Sequence, residues 1–284
     1  MASIIEIEEI APAFKSYLIH EPVIARRHRA GQFVMVLLKN EHSERIPLTI
    51  ADSDPVRGTL RLVVQEVGKT TMEMGTLHPG DSLEVVGPLG KPTHIELWGP
   101  CVCVGGGAGI APLLPIAKAL GRAGNHVVSI LGGRTQELVI LRREMEEVSD
   151  EIYYTTDDGS FGVKGLVTHA LEEYIETAGE PKLVIAIGPA VMMRAVAEQT
   201  RPFGIETVVS LNTIMIDGTG MCGGCRVPVG GESRFVCVDG PEFDGHQVDF
   251  DMLMKRQRIY LEQEEVARRR FLEYHECRAI PGGG

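Results

Sequence analysis

Positive charge is in short supply. Against 39 Asp and Glu the chain of 284 residues sets 28 Lys and Arg, a formal net charge of −11. A chain this acidic repels polyanions, which argues against nucleic acid or an anionic membrane surface as a partner. A basic segment followed by an apolar core is also missing from the amino terminus. MASIIEIEEI is acidic and alternating, so it does not read as a signal peptide. No apolar run is long enough to span a bilayer. The expected location is therefore the reducing cytoplasm. There, the clustered members of six cysteines serve as metal ligands or redox groups more often than as structural disulfides. No internal repeat is present. What the chain does have is 33 glycines, suited to tight turns and close backbone approach to a ligand, and 44% hydrophobic residues, enough for real cores.

The length suggests more than one domain. Residues 1–97 read as β: SIIEIEEI, QFVMVLL, RIPLTI, GTLRLVVQEV and DSLEVVGPLG are short, β-branched and divided by turn signals, as in a small antiparallel barrel. Residues 98–212 alternate strand and helix, which predicts an α/β domain with a parallel sheet. Residues 213–249 form a small Gly- and Cys-rich segment, and residues 250–284 a charged helical tail that suits contact with a partner chain.

Further absences are local. VGGGAGIAP, Val104 to Pro112, lies between a strand and a helix, where glycines let the backbone approach a pyrophosphate and a helix amino terminus favours its charge. The general dinucleotide fingerprint G-x-G-x-x-G is not met, because Ile110 stands at its last glycine. A turn that merely packs helix on sheet is the alternative. The next strand ends in LGGRTQEL without the acid that usually holds the ribose of NAD. Arg134, after Gly133, could hold a 2′-phosphate, stack on adenine or stay solvated. Asp157 and Asp158 could line the nucleotide site or simply cap a loop.

The last shortage is a thiol. IDGTGMCGGCRV carries Cys222 and Cys225, and FVCVDGPEF carries Cys237, one short of a four-cysteine cluster. Plant-type [2Fe–2S] spacing is C-x4-C-x2-C followed by a distant Cys. Reading from Asp217 gives D-x4-C-x2-C, with Asp217 in the first position, and an ionised carboxylate can bind iron. A redox pair of Cys222 and Cys225, a zinc site completed by His246, and a plain Asp-Gly turn at Asp217 remain open. Asp239 and Asp244 are rival oxygen donors. Cys101 and Cys103 alternate in a buried strand and read as packing; Cys277 lies far off in the tail.

The order of barrel, nucleotide fold and cysteine segment resembles the ferredoxin–NADP reductase superfamily over nearly the whole chain. RIPLTI looks like its flavin motif: the resemblance implies that Arg45 reaches the FAD pyrophosphate, that Thr49 hydrogen-bonds near flavin N5, and that Pro47 and Leu48 line the flavin, with Leu48 replacing a common Tyr. VVQEVGKTT looks like the second flavin strand, Val63, Val64 and Gln65, and its phosphate turn, Gly68, Lys69, Thr70 and Thr71. VGGGAGIAP supplies Gly106, Gly107, Gly109, Ile110, Ala111 and Pro112 as the nicotinamide-nucleotide turn, and IGPAVMM supplies Gly188, Pro189 and Met192. The trailing segment narrows the resemblance to electron-transfer subunits. These are the one of dihydroorotate dehydrogenase and, closer, the small subunit of the electron-bifurcating NADH-dependent reduced ferredoxin:NADP oxidoreductase with its sulfide dehydrogenase relative. The resemblance implies FAD, a [2Fe–2S] cluster on Asp217, Cys222, Cys225 and Cys237, and NAD(H), with NADP(H) possible from Arg134. It also implies an FAD-dependent NAD(P)H oxidoreductase subunit in a heterodimer or larger assembly. The partner would be a larger flavin and [4Fe–4S] subunit that binds NADPH, with ferredoxin reached through the complex. The chemistry needs no general acid–base pair, and none is named. A subunit without nucleotide turnover of its own is the alternative from another class.

Overall fold

The computed structural model describes residues 1–39 and 43–279, with side chains to residue 274, so Cys277 lies outside the described side chains. The barrel strands are β1 (Ala2–Ala11), β2 (Phe14–His20), β3 (Phe33–Leu37), β4 (Ile46–Asp54), β5 (Thr59–Gln65) and β6 (Ser82–Leu89), with helices α1 (Pro22–Arg27) and α2 (Lys69–Met74) between them. They close in the order β1-β2-β5-β4-β3-β6. Closure leaves no free edge, and inward residues such as Ile4, Ile19, Ile50, Leu60 and Leu62 fill the interior. The sequence pattern misses β2, whose Lys15 and Ser16 break the apolar alternation. Tyr17 rescues it: the ring is fully buried and its hydroxyl donates to the Met74 carbonyl at 2.9 Å. Burial pushes that phenol well above its ordinary range. Helix α1 also departs from the all-β reading; Pro22 starts it, and Ile24 and Ala25 drop into the barrel core.

The next segment runs β7 (Pro100–Gly106), α3 (Ile110–Arg122), β8 (His126–Gly133), α4 (Arg142–Val148), β9 (Glu151–Thr156), β10 (Val163–Lys164), α5 (Val167–Ala178), β11 (Leu183–Ile187), α6 (Ala190–Thr200) and β12 (Glu206–Ser210). The cysteine segment adds a hairpin, β13 (Arg226–Val229) and β14 (Glu232–Phe235), a single turn α7 (Val236–Asp239) and β15 (Glu242–Asp244). The tail is α8 (Phe250–Gln257) and α9 (Leu261–Ala279). The sheet order is β10-β9-β8-β7-β11-β12-β15. All pairs are parallel except β12 with β15, where Val208 faces Asp244 and Ser210 faces Glu242. The cysteine segment is therefore stitched into the nucleotide sheet.

Strand period sorts the core. Along β7, Cys101 and Cys103 face α3, while Val102 and Val104 face α5 and α6. Both thiols are fully buried, as the packing reading expects, and burial pushes Cys101 up to about 11. Two ion pairs tie barrel to nucleotide domain: Arg61 to Glu144 at 2.9 Å and Lys118 to Asp52 at 3.1 Å. Both are partly exposed and fix orientation more than they stabilise. No helix among the described residues is long and apolar enough to cross a membrane.

Candidate functional site

The strand order reverses at β7. Its successor β8 lies on one side and β11 on the other, so the carboxyl ends of β7 and β11 open a crevice, the place where such sheets bind ligands. The turn Gly106–Gly109 and the segment Gly188–Pro189 leave those two ends. Gly109 has ordinary helical dihedrals, yet a Cβ there would lie 2.5 Å from the carbonyl carbon of Ile187 and 2.8 Å from Cα of Gly188. It thus does the close-packing work that the fingerprint assigns to the glycine missing at Ile110. Gly107 is different: it needs its φ of +54° and has open space around it.

The crevice continues into the barrel as one cleft of about 1320 Å³. From the barrel come Pro47, Leu48, Thr49, Val63 and Gln65; from the nucleotide domain come Gly106, Gly107, Gly109, Ala111, Pro112, Gly133, Arg134, Asp157, Gly188, Pro189 and Met192. Other expected residues stand apart. Val64 alternates inward into the barrel core, and Ile110, the first residue of α3, is buried in the core between α3 and the sheet. Arg45 is exposed just before β4. Gly68, Lys69, Thr70 and Thr71 form the start of α2 outside the cleft lining. There the Thr71 hydroxyl accepts the amides of Val67 and Gly68, both at 3.0 Å, and Lys69 stands 3.8 Å from Glu73. Asp158 is a loop cap: its carboxylate accepts the amide and hydroxyl of Ser160, which hold it below the usual carboxylate range.

Sequence reasoning missed the cleft wall at the end of β12 and beyond it: Ser210, then Asn212, Thr213 and Met215. The rule that ligands sit at strand carboxyl ends could have found them. The Thr213 hydroxyl is buried there with no hydrogen-bond partner among the described residues. Such a group calls for a polar partner on a ligand. Together with the glycine turns, it fits a dinucleotide. The tail also enters the wall, through Met254, Gln257, Arg258 and Leu261.

The cysteine loop lies behind the same wall. Gly218, at φ +74°, presses against Met35 of β3, its absent Cβ leaving 2.6 Å to that side chain. Cys225 of the loop and Cys237 of α7 are buried with their sulfurs 3.2 Å apart, and Cys222 of the loop is exposed. Burial, together with Cys225, pushes the Cys237 thiol up to about 12. Asp217 accepts the Thr219 amide on one oxygen and the Cys222 amide on the other, both at 2.7 Å. The Thr219 amide chiefly holds its carboxyl below the usual range, so it is ionised. Two carboxylate oxygens have about four acceptor sites, so the amides leave room for iron. Among the described residues no three acidic, His or Cys side chains yet stand in metal-holding geometry. The donor set, two thiols and a carboxylate from the glycine-rich loop and the Cys237 thiol from α7, fits an iron–sulfur group. The rivals have hydrogen-bond partners of their own. His246 is engaged by the Thr200 hydroxyl at 3.0 Å, Asp239 accepts the Phe235 amide at 2.7 Å, and Asp244 accepts the amide of His246 at 2.9 Å.

A flavin-type barrel, a dinucleotide sheet and a cysteine loop around one cleft define an oxidoreductase subunit of the ferredoxin–NADP reductase type. Comparison with known proteins agrees segment by segment. Residues 2–94 match the oxidoreductase FAD-binding domain, residues 103–198 the oxidoreductase NAD-binding domain, and residues 212–249 the iron–sulfur cluster binding domain of dihydroorotate dehydrogenase B. The chain is 49% identical over 268 residues to a dihydroorotate dehydrogenase B (NAD(+)) electron transfer subunit homolog of Thermotoga maritima, covering 93% of each chain. It is 34% identical over 243 residues to the corresponding electron transfer subunit of Streptococcus pneumoniae, covering 83% of this chain and 93% of that one. A chain of the solved NADH-dependent reduced ferredoxin-NADP oxidoreductase, studied for flavin-based electron bifurcation, superposes with a TM-score of 0.90 at 47% identity, over 96% of this chain and 98% of that one. The chain belongs to the family of flavin and iron–sulfur electron-transfer subunits typified by dihydroorotate dehydrogenase B, within the ferredoxin–NADP reductase superfamily.

Proposed function

We propose that this chain is the flavin and iron–sulfur subunit of an electron-bifurcating NADH/ferredoxin/NADP oxidoreductase. It exchanges hydride between NAD(H) and FAD in the shared cleft and passes single electrons through a [2Fe–2S] cluster to a partner flavoprotein. The supporting observation is continuity of packing: Phe33 and Met215 line the cleft and belong to the same buried core as Cys225 and Cys237. FAD supplies the conversion between two-electron and one-electron chemistry when bound. The chain binds, orients and excludes water: Thr49 and Gln65 offer polar atoms on the barrel side, and the Gly106–Gly109 turn and Gly188 admit a dinucleotide backbone. Asp217, Cys222, Cys225 and Cys237 would hold the cluster. The loop tip around Cys222, with Met221 88% exposed, suits a larger flavin and [4Fe–4S] partner that binds NADPH and serves ferredoxin.

A dihydroorotate dehydrogenase electron-transfer subunit is the second reading, favoured by the iron–sulfur family matched at residues 212–249. Asp217 in the place of a first thiol weighs against it. Stopped-flow mixing tests the reading: NADH is expected to bleach the flavin of the purified chain faster than NADPH. If neither nucleotide reduces it, the chain has no turnover of its own and the proposal falls. For the cluster, Asp217→Ala is expected to shift the EPR signal of the reduced protein and to lower iron retention by roughly tenfold. An unchanged signal with full iron content removes Asp217 from the ligand set.

A further inference from the structure

The carboxyl-terminal tail lies outside the matched families, the last of which ends at residue 249 where α8 begins at Phe250. It is nevertheless built onto the site. Phe250 and Leu253 are buried in the core that holds Cys225 and Cys237. Asp249 caps α8 by accepting the Met252 amide at 2.8 Å, and Arg194 of α6 clasps Asp251 at 2.8 Å. At the far end of α8 the Gln257 amide donates to the carbonyl and the side-chain oxygen of Asn212, at 2.6 and 2.9 Å, which ties the tail to the segment after β12. The chain then crosses the cleft mouth, and α9 comes to rest on α2, the barrel helix that opens at Gly68.

This path puts Arg258 in the cleft wall, on the stretch of chain that leads from the nucleotide sheet toward the contact of α9 with α2. Charged side chains are few there: Arg134, Asp157 and Arg258. Arg134 leaves the end of β8, on the nucleotide side. Arg258 has no carboxylate partner among the described residues, although the chain is strongly acidic. A guanidinium left unpaired in a cleft that takes dinucleotides is matched by a diphosphate, which its planar fork binds in two-point fashion. We infer that the tail is the outer wall of the flavin site and that Arg258 holds the diphosphate of FAD. FAD is chosen over the nicotinamide dinucleotide because α9 docks on the flavin barrel at α2, whereas Arg134 serves the opposite side. The inference rests on the reading of the cleft as an FAD site.

The test strips FAD from the full chain with chaotropic salt and titrates it back, following the quenching of flavin fluorescence. Arg258→Ala is expected to raise the FAD Kd by roughly tenfold, as loss of a hydrogen bond to a charged group does, and Arg258→Lys to recover part of it. A second arm titrates FAD-loaded protein with NAD(+), whose affinity is expected to stay the same. Arg258 is exposed, so the fold is not at stake, and circular dichroism checks it. Unchanged FAD binding in both variants overturns the inference, as does a loss confined to NAD(+), which would assign Arg258 to the other dinucleotide. Failure of the wild-type chain to bind FAD overturns the functional proposal itself and is told apart by that result.

Discussion

Gly109→Ala is expected to destabilise the nucleotide domain by about 3 kcal/mol, the upper end of overpacking costs. The added methyl would meet backbone, the carbonyl group of Ile187 and Cα of Gly188, and not the yielding tip of a side chain. Neither side can give way. Gly109 opens α3, whose Ile110, Leu113 and Ile116 are fully buried, and Ile187 ends β11 in the middle of the sheet. A shift of either would widen the crevice where the strand order reverses, so dinucleotide affinity is expected to fall with stability. Gly107→Ala is the control. It incurs only the left-handed backbone penalty, of about 1–2 kcal/mol, because nothing stands near its Cβ. Thermal unfolding followed by circular dichroism reads both, with about 6–12 °C expected for Gly109→Ala. Equal melting of the two variants would show that the approach of α3 to β11 is not tight.

Glu242 is expected to make the chain less stable as pH rises from about 4.5 to 7. Its carboxyl sits where three segments meet: it accepts the Thr93 hydroxyl at 2.6 Å, faces Ser210 across β15 and β12, and lies beside Gly31 of the barrel. Burial pushes it up to about 7, against the opposing pull of the Thr93 hydroxyl. Between the unfolded and folded values the native chain binds more protons than the unfolded one, so stability falls with rising pH. The neutral form bears no penalty below pH 4.5, and by pH 7 the difference reaches about 3 kcal/mol at 1.36 kcal/mol per unit. Glu242→Gln keeps an acceptor for Thr93 and removes the charge. It is expected to equal the wild type at pH 4.5 and to exceed it by about 3 kcal/mol at pH 8. Parallel urea midpoints for the two proteins across that range would show that the carboxyl is better solvated than its setting implies.

The architecture was legible because period and punctuation agree: β-branched runs with turns, then strand and helix in alternation. The exceptions have physical causes. β2 hides because Lys15 and Ser16 interrupt its pattern while Tyr17, a residue that reads as amphipathic, is fully buried beside Phe14 and Ile19. The start of α2 read as an open phosphate turn, but the Thr71 hydroxyl already occupies two of its amides. In the site, motif residues with outward side chains line the cleft, and their inward neighbours Val64 and Ile110 do not, since strand and helix periods divide them. The wall residues Asn212, Thr213 and Arg258 carry no motif. They are brought in by the end of β12 and by a charged helical tail that the sequence reads as a contact for a partner chain.

The strand β15 has a consequence for how the molecule can be divided. A chain ending anywhere before residue 242 would leave β12 as a bare, apolar sheet margin, with the backbone groups of Val208, Val209 and Ser210 unmatched. Those groups are a template for a neighbouring molecule, so an excised flavin–nucleotide half would tend to self-associate, and it would also lose Phe250 and Leu253 from the core they share with the nucleotide sheet. The segment that carries the cysteines thus also seals the margin of the nucleotide sheet, through the pairing of β15 with β12.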